Sequence, residues 1–142
     1  MSACADELEQ AETARGNLVD KYQIAACTLS GANFAREKAP LRDFILLVRL
    51  RNELVHLKPA WSSDNHRGRN LAAQLAQRGL TVPMSALPWL NLLETPKIAD
   101  WACKTSRDMM LAVLDLTPDG NAGWDPFHYL KKMLKDENRF PP

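Results

Sequence analysis

Three cysteines, Cys4, Cys27 and Cys103, are too few and too scattered for a disulfide framework or a paired set of zinc ligands. Their odd number fits a reducing compartment, so a cytoplasmic protein is expected. An excess of either charge is also missing. Eighteen Lys and Arg face seventeen Asp and Glu, a net charge of +1, so the molecule is no polycation and any nucleic-acid contact must come from a local patch. No apolar run approaches the ~20 residues that cross a bilayer, so no membrane partner is expected. The first residues, Met1 to Glu9, have neither the basic start nor the apolar core of a signal peptide. Repeats, low-complexity tracts and alternating strand patterns are absent, which leaves helical periodicity as the organising signal.

What remains is a chain of 142 residues, 46% hydrophobic and 25% charged, long enough for one domain with a core of its own. Five helices are predicted. The first runs from Ala5 to about Ser30, bent near Gly16, with Leu18, Tyr22, Ala25, Ala26 and Leu29 inward and Gly31 as its stop. The second opens at Pro40 and ends near Lys58, because Pro59 disfavours helical geometry in the residue before it. A polar loop follows from Ala60 to Gly68, then a short helix from Asn70 to Arg78, closed by Gly79. Thr81 to Leu93, with two prolines, is expected to be irregular. Thr95 caps a long helix that ends before Pro118, its stripe being Ile98, Trp101, Ala102, Thr105, Met109, Ala112, Val113 and Leu116. Asp119-Gly120-Asn121 makes a turn. The last helix starts at Asp125-Pro126 and runs to about Asp136, with Phe127, Leu130 and Leu134 inward. The fold class is therefore all-α, a bundle of about five helices in a single domain over residues 1–142.

The second helix carries the densest polar chemistry. At about 100° per residue, Phe44, Leu47, Val48, Leu54 and Val55 share one arc, with Leu46, Leu50 and Leu57 beside it. Arg42, Arg49, Asn52, Glu53 and His56 take the other side. Arg49, Asn52 and His56 thus meet at spacings of three and four. Arg51 falls in the middle of the apolar arc. A guanidinium there needs either a carboxylate from another helix or a groove at an interface with a second subunit. His56 sits in the last turn, where the negative end of the helix favours positive charge, and imidazole is suited to proton transfer near neutral pH. The plainer alternative is a C-terminal cap in which His56 and Lys58 bond the last carbonyls.

Arg51-Asn52-Glu53-Leu54-Val55-His56 resembles the signature of HEPN domains (higher eukaryotes and prokaryotes nucleotide-binding), an arginine and a histidine separated by four to six residues with a polar residue after the arginine. Arg49 with His56 fits the six-residue form. The setting, the end of a long apolar helix before a proline-containing loop, is similar too. The resemblance covers the motif and its helix, and implies a bundle of four or five helices. It also implies a metal-independent endoribonuclease of toxin or defence type, active where two protomers join. In that reading His56 is the general acid or base, Arg51 stabilises charge on the scissile phosphate, and Asn52 orients the phosphate or His56. Toxins of the subgroup controlled by a nucleotidyltransferase carry a tyrosine two residues after the histidine. Lys58 stands there, so that control is not expected. The alternative within the same resemblance is a non-catalytic helical module that binds a protein or nucleotide, with the motif structural.

Around the motif, Arg42, Arg49, Arg51, Lys58, Arg67 and Arg69 outnumber Asp43, Glu53 and Asp64. Arg49, Lys58, Arg67 and Arg69 are candidate contacts to an RNA backbone, and Trp61 a candidate stacking surface. A solvated loop accounts for the charges equally well, and a tryptophan in Trp61's place is more often a lid over the bundle end. Asp64-Asn65-His66 lacks further ligands at metal spacing, so neither metal nor cofactor is expected. Lys131, Lys132 and Lys135 read as the wet face of the last helix, and Cys27 and Cys103 as inert core residues. The expected partners are a second copy of the chain, RNA, and an antitoxin or other regulatory protein. Ser2 to Glu12 begins without an obvious cap, which leaves open that the chain is one domain of a larger protein.

Overall fold

Five helices and no strand make up the described residues of the computed structural model, and the fold is an all-α bundle. The structure describes residues 6, 9–10, 17–56, 66–81, 93, 95–117 and 126–136. The helices are α1 (Leu18–Ser30), α2 (Leu41–Val55), α3 (His66–Gln77), α4 (Pro96–Leu114) and α5 (Pro126–Lys135). Among the described residues, none of the helices is long and apolar enough to cross a membrane. The chain divides into two compact units, residues 1–44 with 106–142, and residues 45–105.

In the first unit, α1 begins at Leu18. The expected bend near Gly16 lies outside the described residues. Asn17 is in an extended conformation and its side chain accepts from the Asp20 N–H at 3.0 Å, which satisfies one of the open amides of the first turn. Gly31 adopts φ 74° and returns its N–H to the Cys27 carbonyl at 2.7 Å, the left-handed stop that a side chain would strain. The segment beyond is tied back by Gln23, which donates to the Phe34 carbonyl at 2.9 Å and accepts from the Phe34 N–H at 2.8 Å.

The buried side of α1 differs from the expected one. Val19 and Ala26 are buried while Leu18 and Leu29 are exposed. On the wheel Leu18 and Leu29 stand about 80–100° around from Val19, and a stripe chosen for its leucines lands on the wrong flank. Tyr22 stacks at a tilt on Phe44, ring centroids 4.8 Å apart. Met109, Leu114 and Leu134 are also buried. Asp115 receives Lys131 at 3.8 Å and Lys135 at 3.7 Å; Lys132 and Lys135 are exposed, as expected of a wet face, while Lys131 is largely covered. Phe127, expected inward, is exposed. Cys27 is exposed as well, not a core residue.

The second unit centres on Leu46, Leu50, Leu71, Leu75 and Ile98, with Leu80, Leu93 and Trp101 against them. Its α3 begins at His66, four residues before the predicted start. Gly68, which signals a loop in the sequence, is buried inside the helix. Gly79 then ends the helix at φ 70°. Its N–H reaches the Ala76 carbonyl at 2.9 Å and the Leu80 N–H reaches the Leu75 carbonyl at 3.1 Å, the paired bonds of a Schellman stop.

Thr95 does precede α4, but its hydroxyl donates to the Leu80 carbonyl at 3.0 Å. Its own carbonyl accepts from the Ile98 N–H at 3.2 Å. The threonine therefore fastens the start of α4 to the end of α3 instead of capping with its side chain. Cys103, like Cys27, is exposed. The irregular stretch expected after Thr81, the loop at 60–65 and the turn at 119–121 lie outside the described residues.

Candidate functional site

Helix α2 buries different sides along its length. Leu41 and Phe44 are buried in the first turn, Leu46 and Leu50 farther on. At about 100° per residue the second pair lies some 120–180° around from the first. Within the chain the apolar arc is therefore covered only at its start. Toward the C-terminal end it surfaces, with Leu54 40% and Val55 58% exposed and Leu47 and Val48 half-buried.

Arg51 emerges on this uncovered arc. It is exposed, and the carboxylate partner that burial would have required is not there: among the described residues Arg51 makes no ion pair. Its Nη1 instead donates to the Asn52 side-chain oxygen at 3.0 Å. That bond uses the amide oxygen of Asn52 and leaves its NH₂ free to donate. His56 follows directly after the helix and is exposed, its backbone N–H still bonded to the Asn52 carbonyl at 3.0 Å. The structure thus brings Arg51 and Asn52 into contact and places His56 one turn on. Arg51 and His56 themselves leave the helix about 140° apart.

On the polar side of α2, Arg49 and Glu53 form one wall of an open cleft of about 270 Å³ inside the second unit. Asn70, Leu71 and Gln74 of α3 form the other wall. Gln74 donates to the Asn70 side-chain oxygen at 3.0 Å, which fixes the two amides relative to each other. Asn52 and His56 lie within about 100° of Glu53 on the same helix, so the cleft opens on the side that carries the histidine.

The other residues nominated from the sequence are more dispersed. Arg69 is exposed on α3, about 100° around from Asn70 and so off the cleft wall. Arg42 is not a free cation. It bonds Asp43 at 3.1 and 3.4 Å, and that hydrogen bond and charge raise its guanidinium above the ordinary value. Lys58 and Trp61 lie outside the described residues, and Arg67 falls in α3 with its side chain undescribed. Among the described residues no three His, Cys, Asp or Glu side chains come together as metal ligands.

Sequence reasoning missed Glu53, Asn70 and Gln74. The signal available was their spacing: Arg49 with Glu53 and Asn70 with Gln74 are both pairs at four residues, the separation that aligns side chains on a helix. No protein-family model, no curated protein and no solved structure matches this chain.

Proposed function

We propose that the chain is a HEPN-type, metal-independent endoribonuclease of toxin or defence type, working as a symmetric dimer. The observation that carries this reading is Arg51: an exposed guanidinium on the uncovered apolar arc of α2, bonded to Asn52, with an exposed His56 one turn beyond Asn52. A structural arginine in that arc would be buried against a carboxylate. This one is free to meet a phosphate.

The chemistry follows from the three side chains. His56 takes the proton of a ribose 2′-OH, or gives one to the departing 5′-oxygen. The 2′-oxygen forms its bond to phosphorus as the bond to the 5′-oxygen breaks, leaving a 2′,3′-cyclic phosphate and a 5′-hydroxyl. Arg51 presents its fork to the oxygens that gain charge, and the Asn52 NH₂ holds a third oxygen in line. Since Arg51 and His56 diverge by about 140° on one helix, a second copy is needed to close the site around a single phosphate. An antitoxin or other regulatory partner would act by covering the same end of α2.

The test is cleavage of mixed RNA by the purified chain in excess chelator. The expected result is products ending in a 2′,3′-cyclic phosphate, absent from Arg51→Ala and His56→Ala proteins. A dimer that leaves all RNAs intact supports the second reading, a non-catalytic module that binds a nucleotide or protein. The observation favouring that reading is the cleft, whose described lining does not include Arg51 or His56.

A further inference from the structure

The cleft between α2 and α3 has a composition that selects a ligand. Its described lining is one guanidinium, one carboxylate, two side-chain amides and one leucine. Among the described residues Arg49 and Glu53 make neither an ion pair nor a side-chain hydrogen bond, so both present unused groups. The bond from Gln74 to Asn70 leaves the Asn70 NH₂ as a donor and the Gln74 carbonyl oxygen as an acceptor. A volume of about 270 Å³ is small beside clefts that enclose drug-sized ligands, ~300–1,000 Å³, and suits one planar ring system.

We infer that this cleft is a nucleobase subsite that reads guanine. Guanine displays two acceptors, N7 and O6, on one edge and two donors, N1–H and the N2 amino group, on the adjoining edge. A guanidinium fork matches the first pair and a carboxylate matches the second. Arg49 and Glu53, one helical turn apart, offer those two groups in sequence along one wall. Asn70 and Gln74 supply further polar partners from the facing wall, and Leu71 supplies an apolar surface for the ring.

Adenine places an acceptor, N1, where the carboxylate needs a donor, and like-signed groups then face each other. Cytosine and uracil offer the carboxylate a single N–H at most. A free amino acid would satisfy the two charges and leave both amides idle. The inference rests on the reading of the chain as a ribonuclease for its RNA context, and it adds which base is held beside the cut.

The experiment titrates the four nucleoside 3′-monophosphates into the full chain and into Glu53→Gln and Gln74→Ala proteins, by calorimetry, with thermal melting as a check on folding. Guanosine 3′-monophosphate binds at least about tenfold tighter than the other three. Glu53→Gln, which turns one acceptor into a donor facing N1–H or the amino group, removes that preference and strengthens the weak binding of the adenosine nucleotide, whose N1 then meets a donor. Gln74→Ala weakens the guanosine nucleotide to a smaller extent and serves if Glu53→Gln melts early.

Equal affinities for the four, no saturable binding, or a preference that survives both substitutions overturns the inference. Mapping of RNA cuts separates it from the catalytic reading. Cleavage without a guanine bias, alongside equal nucleotide affinities, rejects the subsite and keeps the nuclease. Guanine preference without cleavage keeps the subsite and rejects the nuclease.

Discussion

Arg51 is the residue on which the two readings of this chain diverge. Its polar contact is with Asn52, on the exposed end of α2, so removing it neither strands a buried carboxylate nor opens a cavity. Arg51→Ala is therefore expected to shift stability by no more than about 0.5 kcal/mol, while RNA cleavage is lost. Thermal melting and a cleavage assay on the same preparation check both halves. A melt several degrees lower would mean the guanidinium holds the fold together, against the exposure seen here. His56→Ala behaves alike for a different reason: the histidine follows the last residue of the helix, and alanine keeps the backbone bond to Asn52. Activity should fall to background with the melt unchanged. A His56→Ala protein that still cuts RNA removes the imidazole from the mechanism.

At the scale of elements, what could be read from the sequence divides along local and non-local physics. Stops and starts written in single residues were legible: Gly31 and Gly79 in the left-handed conformation, Pro96 at the head of α4, Pro126 at the head of α5. Burial was legible along the stripe of α4, where Ile98, Thr105 and Met109 are buried as expected. It was not legible on α2, whose covered side changes between Phe44 and Leu46, because a wheel averages over the length of a helix. Nor could the Arg51–Asn52 contact be read, since neighbours in sequence point about 100° apart and meet only through the reach of a long side chain. The cleft was hidden for a related reason: half of it belongs to another helix. One local device can be tested directly. Asn17→Ala removes the side-chain acceptor for the Asp20 N–H and should destabilise the chain by roughly 0.5–2 kcal/mol. Chemical denaturation that shows no change would mean α1 is held by Val19, Tyr22 and Ala26 alone.

For the whole molecule the open question of assembly turns on the arc of α2 that carries Leu54 and Val55. Isolated exposed leucines are ordinary on a protein surface. These two are not isolated: they flank Arg51 and continue from the half-buried Leu47 and Val48, forming an apolar strip with a cation at its centre. A strip of that kind suits a twofold contact, in which each residue meets its own copy or a near neighbour. Like charges would then be brought together by any acidic substitution on it. Leu54→Glu is the sharpest version, because two carboxylates would be forced into an apolar contact while the monomer's own core, built from Leu46, Leu50, Leu71, Leu75 and Ile98, is untouched. The expected outcome is a wild-type dimer by light scattering at micromolar concentration, a Leu54→Glu monomer with an unchanged helical circular-dichroism spectrum, and loss of RNA cleavage together with loss of the dimer. A wild-type chain that stays monomeric at high micromolar concentration, or a Leu54→Glu protein that remains dimeric and active, places the contact elsewhere and removes the reason for joining Arg51 and His56 across two copies.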